Sequence, residues 1–110
     1  MAEHFYADVR DAIAFSDEKM RKVSLFDSPR CMVDLYCARS GQGQRPHVHD
    51  GEDKTYHVLQ GRGEFQVGDE RRLLGPGGTV LAPAGVEHGL TNPGPEDLVV
   101  LVVIAPPIPH

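Results

Sequence analysis

A chain of 110 residues and 12.0 kDa has the size of one ordinary domain built around a single core. With 40% hydrophobic and 25% charged residues it is not a disordered tail, and a net charge of -5 with a pI near 5.6 excludes nucleic acid as a partner, since phosphate binding needs a clustered basic surface. Residues 1–10 lack the basic start and apolar stretch of a secretory signal, and the apolar run Leu98–Ala105 is far shorter than the ~20 residues of a membrane helix, so a cytoplasmic protein with no membrane partner is expected.

In chain order, residues 3–20 are ambiguous: Val9, Ile13 and Met20 fit a weak helical stripe, while residues 12–15 fit a short strand. From Arg21 onward short apolar stretches alternate with turn residues, which predicts strands over 22–26, 31–38, 45–49, 54–59, 63–67, 71–74, 79–82, 88–91 and 97–104. The breaks carry turn chemistry, as in Asp27-Ser28-Pro29, Asp50-Gly51, Gly75-Pro76-Gly77-Gly78 and Asn92-Pro93-Gly94-Pro95. The chain thus divides into an N-terminal arm, 1–20, and one all-β domain, 21–110, with the strand spacing of a sandwich or small barrel.

Cys31 and Cys37 would lie roughly 20 Å apart along one strand, beyond disulfide reach, and on the face of Val33 and Leu35 they read as two buried thiols. Arg71-Arg72 beside Asp69 and Glu70 reads as a solvated hairpin tip. Leu98–Ala105 has no polar alternation, which implies burial on both faces. Such a strand is central in a two-layer fold or covered by a partner subunit, and the second option leads to the expectation of a homodimer formed through this strand or the arm.

The chemistry concentrates in His47-Val48-His49 and in His88 about forty residues later. On a strand, residues two apart project the same way, so two imidazoles at that spacing can hold one cation, with His88 as a third ligand. Imidazole nitrogen suits zinc, copper, iron and nickel, and three protein ligands leave positions open for water or substrate.

The surrounding residues match two motifs. Gly41, five residues, His47-Val48-His49 and later Gly61 form the first; Gly77, five residues, Pro83-Ala84-Gly85, two residues, His88, three residues and Asn92 form the second. Together they resemble the cupin superfamily, in the form of a small single-domain cupin. The resemblance implies a double-stranded β-helix, a jelly-roll barrel, with one divalent metal held inside near one mouth by His47, His49 and His88. Iron(II) is the first expectation, with zinc, manganese, nickel and copper as further choices. Gly41, Gly61, Gly77 and Gly85 then stand where a turn or bulge needs positive φ, Pro83 sets the bend that delivers His88, and Asn92 closes the next turn through its side chain.

One position departs from that pattern. Four-ligand cupins supply a glutamate seven residues before the glycine ending the first motif, and here that place is Lys54. A protonated ammonium cannot coordinate a cation and opposes it at close range. Three readings stand: a three-histidine site with Lys54 beside it, a carboxylate from Glu52 or Asp53 swinging in, or a cavity without metal. Strand parity puts Lys54, Tyr56 and Val58 inside and Asp53 and His57 outside. His57, His4 and His110 are expected to take no part in the site.

Lys54 and Tyr56 are the candidate catalytic residues. As an enzyme, the protein resembles the three-histidine dioxygenases among cupins and would act on a small oxygen-bearing, anionic substrate, with Lys54 meeting its charge; a non-redox metal would serve isomerisation or hydrolysis. As a binding module, the same cavity would hold and report a small ligand, with or without metal. The chain shows no output domain beside the barrel, which favours a stand-alone protein. A bare dimerisation scaffold leaves both histidine motifs unexplained.

Overall fold

The structure, a computed structural model, describes residues 5–108. Nine strands follow one short helix: α1 (Val9–Ala12), β1 (Arg21–Asp27), β2 (Met32–Ala38), β3 (Gly43–His47), β4 (Asp53–Gln60), β5 (Gly63–Val67), β6 (Glu70–Leu74), β7 (Thr79–Ala82), β8 (His88–Thr91) and β9 (Leu98–Ala105). They form two antiparallel sheets, ordered β1-β2-β9-β4-β7 and β3-β8-β5-β6. This is the all-β double-stranded helix expected from the motifs, and each predicted strand lies where an observed one does, apart from small shifts at the ends. The ambiguity in the arm resolves into one helical turn capped by the Asp8 side chain, with no strand at 12–15.

Between the sheets, Tyr36 and Ala38 of β2, Tyr56 and Val58 of β4 and Val100, Val102 and Ile104 of β9 meet Phe65 and Leu90 of the smaller sheet. β9 is the central strand, with β2 and β4 on either side, so its apolar residues are buried on both faces, as their pattern requires. The outer face is covered from within the chain. Val9, Ala12, Ile13 and Phe15 pack over Leu35, Cys37, Val99 and their neighbours. The uninterrupted apolar run therefore has its explanation without a second subunit. Arg39 fastens this cover: its Nε is 2.8 Å from Asp17 Oδ1, its Nη1 donates to Asp97 at 3.3 Å, and its guanidinium lies 5.1 Å from the centre of the Phe15 ring.

Cys37 is fully buried in this outer layer and burial pushes its thiol up, so it stays protonated; Cys31, expected to be buried as well, is only half-buried, one residue before β2 begins. No helix among the described residues is long and apolar enough to cross a membrane.

The glycines of the motifs do what the sequence suggests: Gly41, Gly61, Gly77 and Gly85 all have positive φ, from 76° to 92°. At Gly61 the requirement is double, because a Cβ there would also collide with the Asp97 carbonyl. Asn92, 1% exposed, donates from Nδ2 to the carbonyls of Ala38 and Glu96 at 2.9 and 2.8 Å, and its Oδ1 accepts from Gly94 N at 2.8 Å. It thereby ties the ends of β2, β8 and β9 together. Asn92→Ala leaves those buried backbone groups without partners, and a loss of about 1 to 2 kcal/mol in urea unfolding is expected.

Candidate metal centre

β3 and β8 pair in the smaller sheet, and their register makes His47 and His88 direct cross-strand partners. The expected strand 45–49 is corrected here. β3 ends at His47, and inside it Pro46 has no N–H to give the ladder and the register shifts between Gln44 and His47. His49 therefore lies in the following loop, and strand alternation is not what brings it beside His47. The loop is held instead by Gly85 N, which donates to the His49 carbonyl at 2.8 Å and ties the two motifs together.

The three rings converge, with centroids 4.6 Å (His47–His49), 4.3 Å (His47–His88) and 5.6 Å (His49–His88) apart. One ligand atom from each lies within 4.8 Å of the other two. Nδ1 of His47 faces the Arg45 carbonyl at 2.8 Å, and Nδ1 of His88 faces the Val86 carbonyl at 3.0 Å. A carbonyl only accepts, so each Nδ1 carries the hydrogen and each Nε2 the lone pair. Both Nε2 atoms are buried with no hydrogen-bond partner. An unpaired buried acceptor costs on the order of 1 to 3 kcal/mol, and a shared cation would satisfy both while the carbonyls orient the rings behind. The residues present thus fit a divalent metal.

Burial is the main cause that holds all three imidazoles below their ordinary pKa, and the positive charge of Lys54 adds to it. The rings are neutral and ready to coordinate at neutral pH. In the unfolded chain they take up protons near pH 6.5, sooner than in the folded one, so the metal-free protein should lose stability as pH falls below about 6.5 toward the lower folded values. His88→Gln should flatten part of that slope in thermal melts taken from pH 7.5 to 5.

The opposite wall comes from β4. Lys54, Tyr56 and Val58 point inward, as parity requires, and Lys54 is only 2% exposed. Its Nζ donates to Gln44 Oε1 at 3.2 Å, a bond that spans the two sheets, and lies 5.0 and 5.2 Å from the ring centres of Tyr36 and Tyr56. Burial lowers its pKa to about 8, Lys22 adds to the fall, and Asp34 partly opposes it. Tyr56 sits with its ring 6.4 Å from His88, and its buried hydroxyl has no partner; burial pushes its pKa up, so it remains a proton donor.

Neither nearby carboxylate joins the ligands. Asp53 Oδ1 accepts from Ala84 N at 2.9 Å and so braces the turn before His88, while Glu52 Oε1 stands 3.7 Å from His49 Nδ1. His57 bonds Thr55 on the outer face of β4, and His4 and His110 lie outside the described residues. A cleft of about 720 Å³ between β6 and β7 is lined by Phe65, Arg72 and Leu81 among others and by no histidine, so size does not mark the chemistry.

Sequence reasoning missed Lys22, Asp34, Tyr36 and Gln44. The signal was present as alternation: Lys22, Ser24 and Asp34 interleave with Val23, Leu25, Val33 and Leu35. Read alone, that pattern assigns the polar face to solvent. In this barrel the face of β2 that carries Asp34 and Tyr36 is buried and its apolar face lies under the arm, while Lys22 and Ser24 of β1 stay exposed at the rim.

Residues 35–104 match the cupin domain family. A crystal structure from Thermus thermophilus is 42% identical, covers 92% of this chain and 96% of its own, and superposes with a TM-score of 0.89. A double-stranded β-helix protein of Klebsiella pneumoniae subsp. pneumoniae MGH 78578 is 27% identical over 94% of this chain and 86% of its own, with a TM-score of 0.87. A protein of Aquifex aeolicus (strain VF5) is 29% identical over 92 residues, 84% of this chain and 73% of that protein. With the family match spanning β2 to β9 and both histidine motifs in place, this chain is a member of the cupin family.

Proposed function

We propose that this cupin is a three-histidine metalloenzyme acting on a small, oxygen-bearing anion. The observation that carries the reading is the pair of buried, unpartnered Nε2 atoms of His47 and His88, with His49 beside them and a buried lysine facing them. His47, His49 and His88 would hold the metal, with iron(II) the first choice and zinc, manganese, nickel or copper as alternatives. When bound, iron(II) supplies open positions for a chelating oxygen donor and for O₂.

The chain's own residues do the rest. Lys54 meets the negative charge of the ligand in a pocket of low polarity, where a fixed cation acts more strongly than in water. Tyr56, protonated and unpartnered, offers a hydrogen bond to a ligand oxygen. The apolar packing of Tyr36, Phe65 and Leu90 around them limits water.

Oxygen consumption tests the dioxygenase-like reading. Iron(II)-loaded protein should take up O₂ with a member of a panel of small hydroxy and keto acids, and zinc-loaded protein should not. Binding of an acid by the iron form with no O₂ uptake and no change in the acid would instead assign the cavity to ligand binding.

A further inference from the structure

A second cavity, of about 280 Å³, opens beside the site just described. Lys22, Ser24, Asp34 and Tyr36 form its polar side, and Met32 and Ile104 its apolar side. Lys22 arrives there by register: it pairs with Tyr36 across β1 and β2, so both project to the same face, Tyr36 buried and Lys22 exposed at the rim, and its Nζ stands 5.3 Å from the centre of the Tyr36 ring. Lys54 approaches the same ring at 5.0 Å, and Ile104 is the cross-strand neighbour of Lys54. The Tyr36 ring thus stands between this cavity and Lys54 of the metal-site wall.

Among the described residues, two ammonium groups, Lys22 on the cavity wall and Lys54 across the Tyr36 ring, stand against one carboxylate, Asp34, beside the apolar side of the pocket. We propose that this cavity is a subsite for a small monocarboxylic acid, with Lys22 as the residue that pairs with the carboxylate and Met32 and Ile104 packing on a short carbon chain. A volume of 280 Å³ is at the lower end of ligand pockets, which sets the ligand at a few carbons rather than a sugar chain or nucleotide. The proposal extends the reading of the metal site by naming the acid's docking point. A lysine on an edge strand such as β1 has another use, blocking strand addition from a second chain, and the experiment separates the two.

Butyrate and its uncharged isostere butyramide are titrated into metal-free and zinc-loaded protein while the backbone amides of Ser24 and Tyr36 are followed by NMR. Butyrate should shift both signals in saturable fashion in the metal-free protein, and butyramide should not. Lys22→Met should weaken butyrate binding by at least about tenfold, on the scale of one lost charge-assisted bond, and Lys22→Arg should restore it. Equal shifts from the two probes, no saturable shift at about 50 mM, or unchanged affinity in Lys22→Met would overturn the subsite. In the last case, self-association of Lys22→Met by light scattering assigns Lys22 to edge protection. Zinc content measured in the same samples reports on the metal reading separately, since loss of zinc binding leaves the metal-free titration intact.

Discussion

His88→Ala should weaken divalent metal binding by on the order of 100-fold or more. Residues that only orient ligands cost about 10- to 100-fold when removed, and His88 is placed as a ligand itself, so the larger end is the floor. Its ring is 1% exposed, held by the Val86 carbonyl, and faces its cross-strand partner His47 across 4.3 Å. The variant removes one of the two buried, unpartnered imidazole nitrogens and leaves the other without a co-ligand. Folding should survive, because Phe65 and Leu90 keep the core closed around the vacated space. Chelator competition with zinc reads the affinity, and a far-UV spectrum confirms the fold. His57→Ala, on the outer face, should leave the affinity within twofold.

The second large effect concerns Lys54, and it runs in two directions. Lys54→Met should stabilise the metal-free protein by about 2 kcal/mol at pH 7. Lowering the amine's pKa from 10.5 to about 8 means that holding the charge inside costs on the order of 3 kcal/mol, at ~1.4 kcal/mol per unit, and the lost bond to Gln44 and the ring contacts return part of it. The methionine follows the buried stem and fills its place. Between pH 8 and 10.5 the unfolded wild-type chain keeps the Lys54 proton that the folded chain has released. Wild type therefore gains stability over that window, and its deficit against Lys54→Met should narrow in urea unfolding as pH rises from 7 to 10.

Lys54→Glu tests the other direction. It replaces a cation that opposes the metal with a carboxylate able to coordinate, so metal affinity should rise tenfold or more, while the metal-free form is destabilised by a buried carboxylate. Lys54→Met deletes the charge without adding a ligand and should fall between wild type and Lys54→Glu. Equal metal affinity in all three proteins would place Lys54 outside the influence of the metal.

Much of this was legible in the sequence because the motifs encode backbone requirements as well as ligands. Positive φ at Gly77 and Gly85 and the Asn92 turn are local, and they frame His88 on both sides. The parity of β4 was equally plain, since Lys54, Tyr56 and Val58 follow one strand with a regular register until Val58. The route of His49 was not. The strand stops at His47, two residues short of the expected end, so the approach of His49 to His47 depends on a loop bonded to Gly85, far along the chain. Long-range closure of this kind leaves no periodic trace.

The arm shows the same limit. Val9, Ile13 and Phe15 are too sparse to predict an element, yet they cover the outer face of β2 and β9, and that cover reverses the meaning of the alternation in β2. Asp34 lies buried at the wall of a cavity whose rim carries the exposed Lys22 and Ser24, because a different segment covers the opposite face of β2. Alternation specifies which residues share a face; only tertiary packing decides which face meets solvent.

The most direct measurement is the imidazole nitrogen spectrum of uniformly ¹⁵N-labelled, tag-free protein during titration with zinc, read with metal content by mass spectrometry. One equivalent per chain should bind, with the Nε2 signals of His47, His49 and His88 moving together to the metal-bound range while the Nδ1 atoms of His47 and His88 stay protonated toward Arg45 and Val86. Saturation with no change at these three rings, or no binding at all, would contradict a three-histidine metal centre in this barrel.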